Sequence, residues 1–205
     1  MSATKTETGQ SKFAFSIRDL VNIGIFLVLY FITMAVNATA AAGPVWIYLA
    51  LVISAPLGGI VFELFLTRVH HPGMIIIFGV IFGAGISTIH GWQTMITVVV
   101  FSLLSEVIVW VGRYRSKVAS LLAYPAFQLW CMGPIIPIIF TAQAYREMLI
   151  NQRGKSAEYA DGVIAWSHNP LFITAIVGGI VILSLAGAWV GQKILRKHFE
   201  KAGIA

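Results

Sequence analysis

Residues 123–140 read AYPAFQLWCMGPIIPIIF. The run is apolar enough to cross a bilayer, yet it holds Gln128, Gly133 and three prolines, Pro125, Pro134 and Pro137. A proline removes a backbone donor and frees a carbonyl upstream. Inside lipid that carbonyl needs another partner, so irregular helix is tolerated only where protein covers it or where it lines a cavity. A segment built only for anchoring would need neither the prolines nor a buried amide. The stretch predicts a helix break within a membrane bundle, open to two readings. Either Gly133-Pro134 opens a pocket beside Gln128, or the prolines are a kink that sets helix packing.

The remainder of the chain fits a membrane bundle. Of 205 residues, 58% are hydrophobic and 11% charged, more apolar surface than a water-soluble domain of this length could hide. Six apolar segments are drawn at about residues 20–42, 45–65, 73–89, 92–112, 118–140 and 171–192. At ~1.5 Å per residue, about 20 helical residues cross a ~30 Å core. The fold class is therefore all-α, with a six-helix membrane domain over residues 20–195. Residues 1–19 and 196–205 form polar tails, and 141–170 forms one long loop. The stretch before the first segment is polar, without a short apolar region and cleavage site, so that segment is read as retained.

The net charge of +6 reads as topology and not as a nucleic-acid surface. With both termini on one side, that side receives eleven Lys and Arg, from Lys5 to Lys201. The other receives Arg146, Arg153 and Lys155, all in the long loop. By the positive-inside rule both termini are cytoplasmic, the loop is external, and the membrane is the plasma membrane. A long connection in a small bundle is more often a lid or binding element than a spacer.

Enzyme motifs are missing. There is no His-Glu-x-x-His pair, Gly-x-Ser-x-Gly elbow or P-loop, and adjacent His70 and His71 would not chelate one metal from a regular helix. No cofactor and no metal site is expected. Glu63 and Glu106 are the carboxylates within spans; Arg68 and Arg113 follow them by five and seven residues, which suggests ion pairing near the interface. Uncharged polar residues gather in the outer half: Tyr30, Thr33 and Asn37 in one stripe, then His90, Trp92 and Gln93 at a turn. Gln128 shares a face with Tyr124 and Cys131, Trp130 points the other way, and His168 and Asn169 precede the last segment. A few polar groups among apolar walls suit a small-molecule site. Asn37, His90, Trp92, Gln93, Gln128 and Asn169 are the candidate substrate contacts. Gly58–Gly59, Gly79–Gly83, Gly178–Gly179 and Gly187–Gly191 are expected to let helices pack closely.

Four stretches carry a resemblance: SIRDLVNIGIF, RVHHPGMIIIFGVIFG, YPAFQLWCMGPIIPIIF and AEYADGVIAW. In their order and spacing, from about Ser16 to Leu195, the chain resembles the membrane S components of energy-coupling factor (ECF) transporters, in the Trep_Strep or MptD-like group. The resemblance implies a substrate-capture subunit of an ATP-driven importer for a small water-soluble nutrient. It also implies as partners a transmembrane T subunit and two ATPases, which would hydrolyse the ATP, and a toppling motion that releases substrate inside. Docking to the T subunit in many S components uses an Ala-x-x-x-Ala motif on the first helix; residues 24–28 here read GIFLV. Two rivals stand beside this reading. One is a stand-alone proton-coupled or uniport carrier, and the other a structural membrane subunit without a ligand.

Overall fold

The computed structural model describes residues 16–35, 42–69 and 71–201, with side chains through residue 197. Every regular element among them is helical. In chain order these are α1 (Ile17–Thr33), α2 (Trp46–Leu66), α3 (Met74–His90), α4 (Trp92–Val111) and α5 (Lys117–Gln128). After a 3-10 turn at Leu129–Met132 come α6 (Ile136–Phe140), α7 (Ala142–Asn151), α8 (Ala157–Ser167) and α9 (Pro170–Lys201).

Helix ends follow from local chemistry. Ser16 and Asp19 form a capping box, with Asp19 N–H donating to Ser16 Oγ (3.2 Å) and Ser16 N–H to Asp19 Oδ2 (2.9 Å). The Ser16 hydroxyl adds a third bond, donating to Asp19 Oδ2 at 2.7 Å. Ser116 and Ser156 cap α5 and α8 in the same sense. Gly73 and Gly91 supply the positive φ (97° and 88°) that lets the chain turn into α3 and α4 without strain.

Among the described residues, four segments are long and apolar enough to cross a membrane: Trp46–Leu66, Trp92–Val111, Lys117–Phe140 and Pro170–Lys197. Met74–His90 is apolar but shorter, and α1 has 17 residues. The chain is thus an all-helical, multi-pass membrane protein.

The tightest seam joins α2 to α9. A Cβ on Gly59 would lie 2.7 Å from the Ala188 backbone nitrogen, and one on Gly187 within 2.5 Å of Pro56 Cα. Small residues here bring backbone against backbone, as lipid-embedded helices require when packing drives association. Gly79 plays the same part against Ser102, whereas Gly178 faces open space.

Behind that seam sits an aromatic core. Phe62, Phe65, Phe78, Phe82 and Phe127 are fully buried or nearly so, with Tyr30, Tyr124 and Trp130 beside them. Phe62 stacks on Phe127 (5.0 Å between centroids) and Phe65 on Phe78 (4.8 Å). Phe82 meets Trp130 edge-on at 4.8 Å. Such offset and edge contacts are each worth ~0.5–1.5 kcal/mol beyond burial.

The expected ion pairs do not form. Helix α2 ends at Leu66 and α4 at Val111, so Arg68 and Arg113 lie past the faces that carry Glu63 and Glu106. Arg113 and Tyr114 turn left-handed (φ 53° and 55°), which brings Tyr114 Oη back to donate to Glu106 Oε1 at 2.6 Å. Glu106 Oε2 accepts the Ile75 N–H (3.0 Å) and so caps the start of α3. Glu63 accepts from Ser120 Oγ.

The glycine seam makes a direct prediction. Gly187→Val should destabilise the detergent-solubilised protein by about 1–3 kcal/mol, the usual cost of overpacking. Gly178→Val should leave the thermal midpoint unchanged; equal midpoints for the two variants would remove Gly187 from the seam.

Candidate functional site

The break in the fifth segment starts earlier than Gly133. The helix tightens to 3-10 geometry at Leu129, which shifts the register and swings Trp130 inward. Trp130 is 2% exposed and its Nε1–H donates to Tyr30 Oη at 3.1 Å, so it does not point away from Gln128's network as regular helical spacing suggests. Pro134 cannot donate to the carbonyl of Trp130, four residues before it. That oxygen instead accepts Gly133 N–H (2.9 Å) and Thr97 Oγ1–H (3.0 Å) from α4. Gly133 rests on Thr94, with room for no side chain: a Cβ there would sit 2.6 Å from Thr94 Cα. On this side the break is covered by protein.

Gln128 lies in the core and is inaccessible to solvent. Its Oε1 accepts from Tyr30 Oη (2.5 Å) and lies 2.9 Å from Tyr124 Oη, which also reaches the Ala55 carbonyl at 2.7 Å. The amide thus ties α1, α2 and α5 together. Its Nε2 has no hydrogen-bond partner, an uncommon state for a buried donor.

Beyond the break, at the end of the bundle that carries α7 and α8, lies a cavity of about 420 Å³. Pro134 and Pro137 form one wall, the α3–α4 turn with His90 and Gln93 another, and α7 with Tyr145 and Met148 the cover. Arg153 also lines it, and its Nη2 donates to the Ile89 carbonyl at 2.6 Å, clamping the end of α7 to the end of α3. Burial raises the Tyr145 hydroxyl's pKa above its ordinary value.

The cover is anchored. Arg146 of α7 grips Asp161 of α8 through Nε (2.6 Å) and Nη2 (3.3 Å), and the Asp161 carboxyl is held below its usual range by that bond. Tyr48 Oη of α2 donates to the Val163 carbonyl (2.9 Å) and meets Ser167 Oγ. Leu149, Ala160 and Val163 are buried, so the 141–170 region is a pair of packed helices.

Of the candidate contacts, His90 and Gln93 line this cavity together. Gln128 does not; it sits sealed in the core. Trp92 is 68% exposed on the bundle's rim, the position of an interfacial anchor. Asn169 caps α9, its Oδ1 accepting Phe172 N–H at 3.1 Å. Asn37 lies outside the described residues. Sequence reading overlooked Tyr145, Gln152 and Arg153 as lining residues; the helical spacing of Tyr145, Met148 and Gln152 is the signal that could have found them. Among the described residues no cluster of His, Cys, Asp or Glu is arranged to hold a metal.

Gln128→Leu would remove the acceptor of Tyr30 Oη within the core. We expect a loss of about 1–3 kcal/mol in stability, the cost of stranding a buried polar group. A detergent thermal midpoint equal to that of the unsubstituted protein would show that the amide is not a structural tie.

The family model described as a hypothetical bacterial integral membrane protein (Trep_Strep) matches residues 17–201. No curated protein and no solved structure matches the chain. The match spans every helix from α1 to α9, and the chain belongs to the Trep_Strep family of bacterial integral membrane proteins.

Proposed function

We propose that this protein is the substrate-capture S subunit of an ECF-type importer for a small water-soluble nutrient. The observation that carries the proposal is the cavity of about 420 Å³ beneath α7, with mixed polar and apolar walls and an anchored cover. Volumes of ~300–1,000 Å³ are usual for small-molecule sites. His90, Gln93 and Tyr145 supply the polar contacts, and Pro134, Pro137 and Met148 the apolar ones. In this reading the chain crosses the plasma membrane six times, with α1 and α3 as the two short spans and both termini in the cytoplasm. The cavity then faces outside. A T subunit and two ATPases supply the energy, and the chain itself is not an enzyme.

One observation favours a second reading, a proton-coupled carrier. Glu63 is 2% exposed, has no cation partner, and leaves Oε1 unbonded. That reading requires transport without an ATPase and loss of proton coupling in Glu63→Gln.

Native mass spectrometry of the detergent-purified chain tests the capture role. A vitamin-sized adduct is expected, with retention reduced about tenfold by Gln93→Ala or Tyr145→Ala, since one lost contact of ~1.4 kcal/mol is a factor of ten. An adduct indifferent to both substitutions would overturn the cavity as its site. Failure to co-isolate with co-expressed T subunit and ATPases would overturn the importer.

Orientation has its own check. In intact cells an impermeant maleimide should label Asn151→Cys, while Arg115→Cys reacts only after lysis; Cys131 is buried and stays silent. The opposite pattern would reverse the topology.

A further inference from the structure

The cavity beneath α7 has a single cation in its lining, Arg153, and no carboxylate. The other charged groups of the cover are already committed. Arg146 is held by Asp161, Lys155 Nζ stands 4.9 Å from the centre of the Tyr159 ring, and Glu147 accepts from Gln143 Nε2 at 3.1 Å. Among the described residues Arg153 has no acidic partner.

An exposed arginine needs no partner, so the charge by itself decides nothing. Its position adds more. Nη2 donates to the Ile89 carbonyl in the last turn of α3, which pins a long and flexible side chain against the cavity. A cap on the end of α3 would need only that bond. The guanidinium offers further N–H donors, fixed in a planar fork.

The uncharged lining shows a matching need. Among the described residues the Tyr145 hydroxyl, the Gln93 amide and the His90 ring make no hydrogen bond, and all three border the same space. Burial raises the Tyr145 pKa and the Arg153 charge draws it back, so the positive field reaches that hydroxyl. The hydroxyls of Thr88 and Thr141 instead donate to the Gly85 and Pro137 carbonyls, at 2.7 and 2.8 Å. What the space lacks is an acceptor that carries negative charge. A phosphate monoester brings about two charges at neutral pH and would leave one of them facing no cation. A carboxylate brings one, and its two oxygens match the guanidinium fork.

We propose, resting on the capture role of this cavity, that the captured nutrient is a small organic monocarboxylate. Its carboxylate is taken by the Arg153 guanidinium and the Tyr145 hydroxyl, and its uncharged body lies against Pro134, Pro137 and Met148. Arg153 is then the residue that selects the acid over its neutral analogues.

The test offers the full chain in detergent the low-molecular-weight fraction of a rich bacterial growth medium, split on an anion exchanger. Half of the anionic pool is first treated with carbodiimide and ammonia, which turns carboxylates into amides. Retained compounds are identified by native mass spectrometry. The chain should retain a phosphatase-resistant compound from the untreated anionic pool, and its amide about tenfold less well, the loss of one charge-assisted pair. Arg153→Gln should lower retention of the acid about tenfold and leave that of the amide unchanged. Arg153→Lys, which keeps the charge without the fork, should restore part of the loss.

A retained compound that is neutral, cationic or destroyed by phosphatase would overturn the carboxylate assignment and leave the capture role standing. Equal losses of acid and amide in Arg153→Gln would make Arg153 a clamp on the cover and overturn its part in recognition, as would a retained acid indifferent to the substitution. If no pool yields a retained compound, the capture role falls and the carboxylate assignment with it.

Discussion

A carbonyl at membrane depth must have a donor, and Pro134 deprives Trp130 of its own. The Gly133 N–H in the 3-10 turn, at 2.9 Å, provides the substitute, and Thr97 of α4 adds a second contact at 3.0 Å. Much of the bundle around the break follows from that exchange. It permits the fifth segment to tighten at Leu129, which turns Trp130 onto Tyr30 and Phe82. It also lets Gly133 rest on α4, leaving Pro134 and Pro137 to face the cavity under α7. The two readings that the prolines allowed are therefore not exclusive. One side of the break is packing, and the other is a wall.

The buried polar groups show the same economy. Gln128 serves two tyrosine hydroxyls from one oxygen, and Glu106 serves a helix start and Tyr114 from two. Each joins elements that lipid would otherwise leave to dispersion contacts alone. Four atoms among the described residues stand outside this pattern: Ser105 Oγ, Ser184 Oγ, Gln128 Nε2 and Glu63 Oε1. The last two differ in setting: Glu63 sits beside Ser120 of α5, while Gln128 is enclosed by aromatic rings. An amide locked between three helices is better suited to holding the core in one arrangement than to meeting a ligand.

Much of this was legible in the sequence. The break was, because proline chemistry is local, and so was the close approach at Gly187, because small residues have few other uses in lipid. Residues 141–170 were read as one long loop, and they fold as α7 and α8. What failed were inferences that extend one helix too far. Placing Trp130 opposite Gln128 assumed an even turn per residue, which the 3-10 segment interrupts. Pairing Glu63 and Glu106 with Arg68 and Arg113 assumed helices that had already ended. Asn169 was taken for a contact, and its place before Pro170 also serves as a cap. Arg153 entered the sequence reading only as a topology charge, and its neighbour proved to be the Ile89 carbonyl, which only tertiary structure could bring near.

The packing of the aromatic core bears on the choice between the two proposed readings. Phe62, Phe78, Phe82 and Phe127 sit with centroids 5.0–6.2 Å apart where they meet, at 0–1% exposure. A carrier acting alone would have to part these rings and separate Tyr30 from Gln128 in each cycle. The α2–α9 seam, with Gly59 and Gly187 against facing backbone, resists the helix separation this would need. A subunit that captures its ligand at one end and then reorients as a body keeps all of these contacts. Its cost falls on the lipid and on the partner that turns it, which is why energy from an external ATPase fits a bundle packed in this way. Closely packed interiors switch between whole arrangements more readily than they deform continuously. On that argument the closed core favours the capture subunit over the stand-alone carrier.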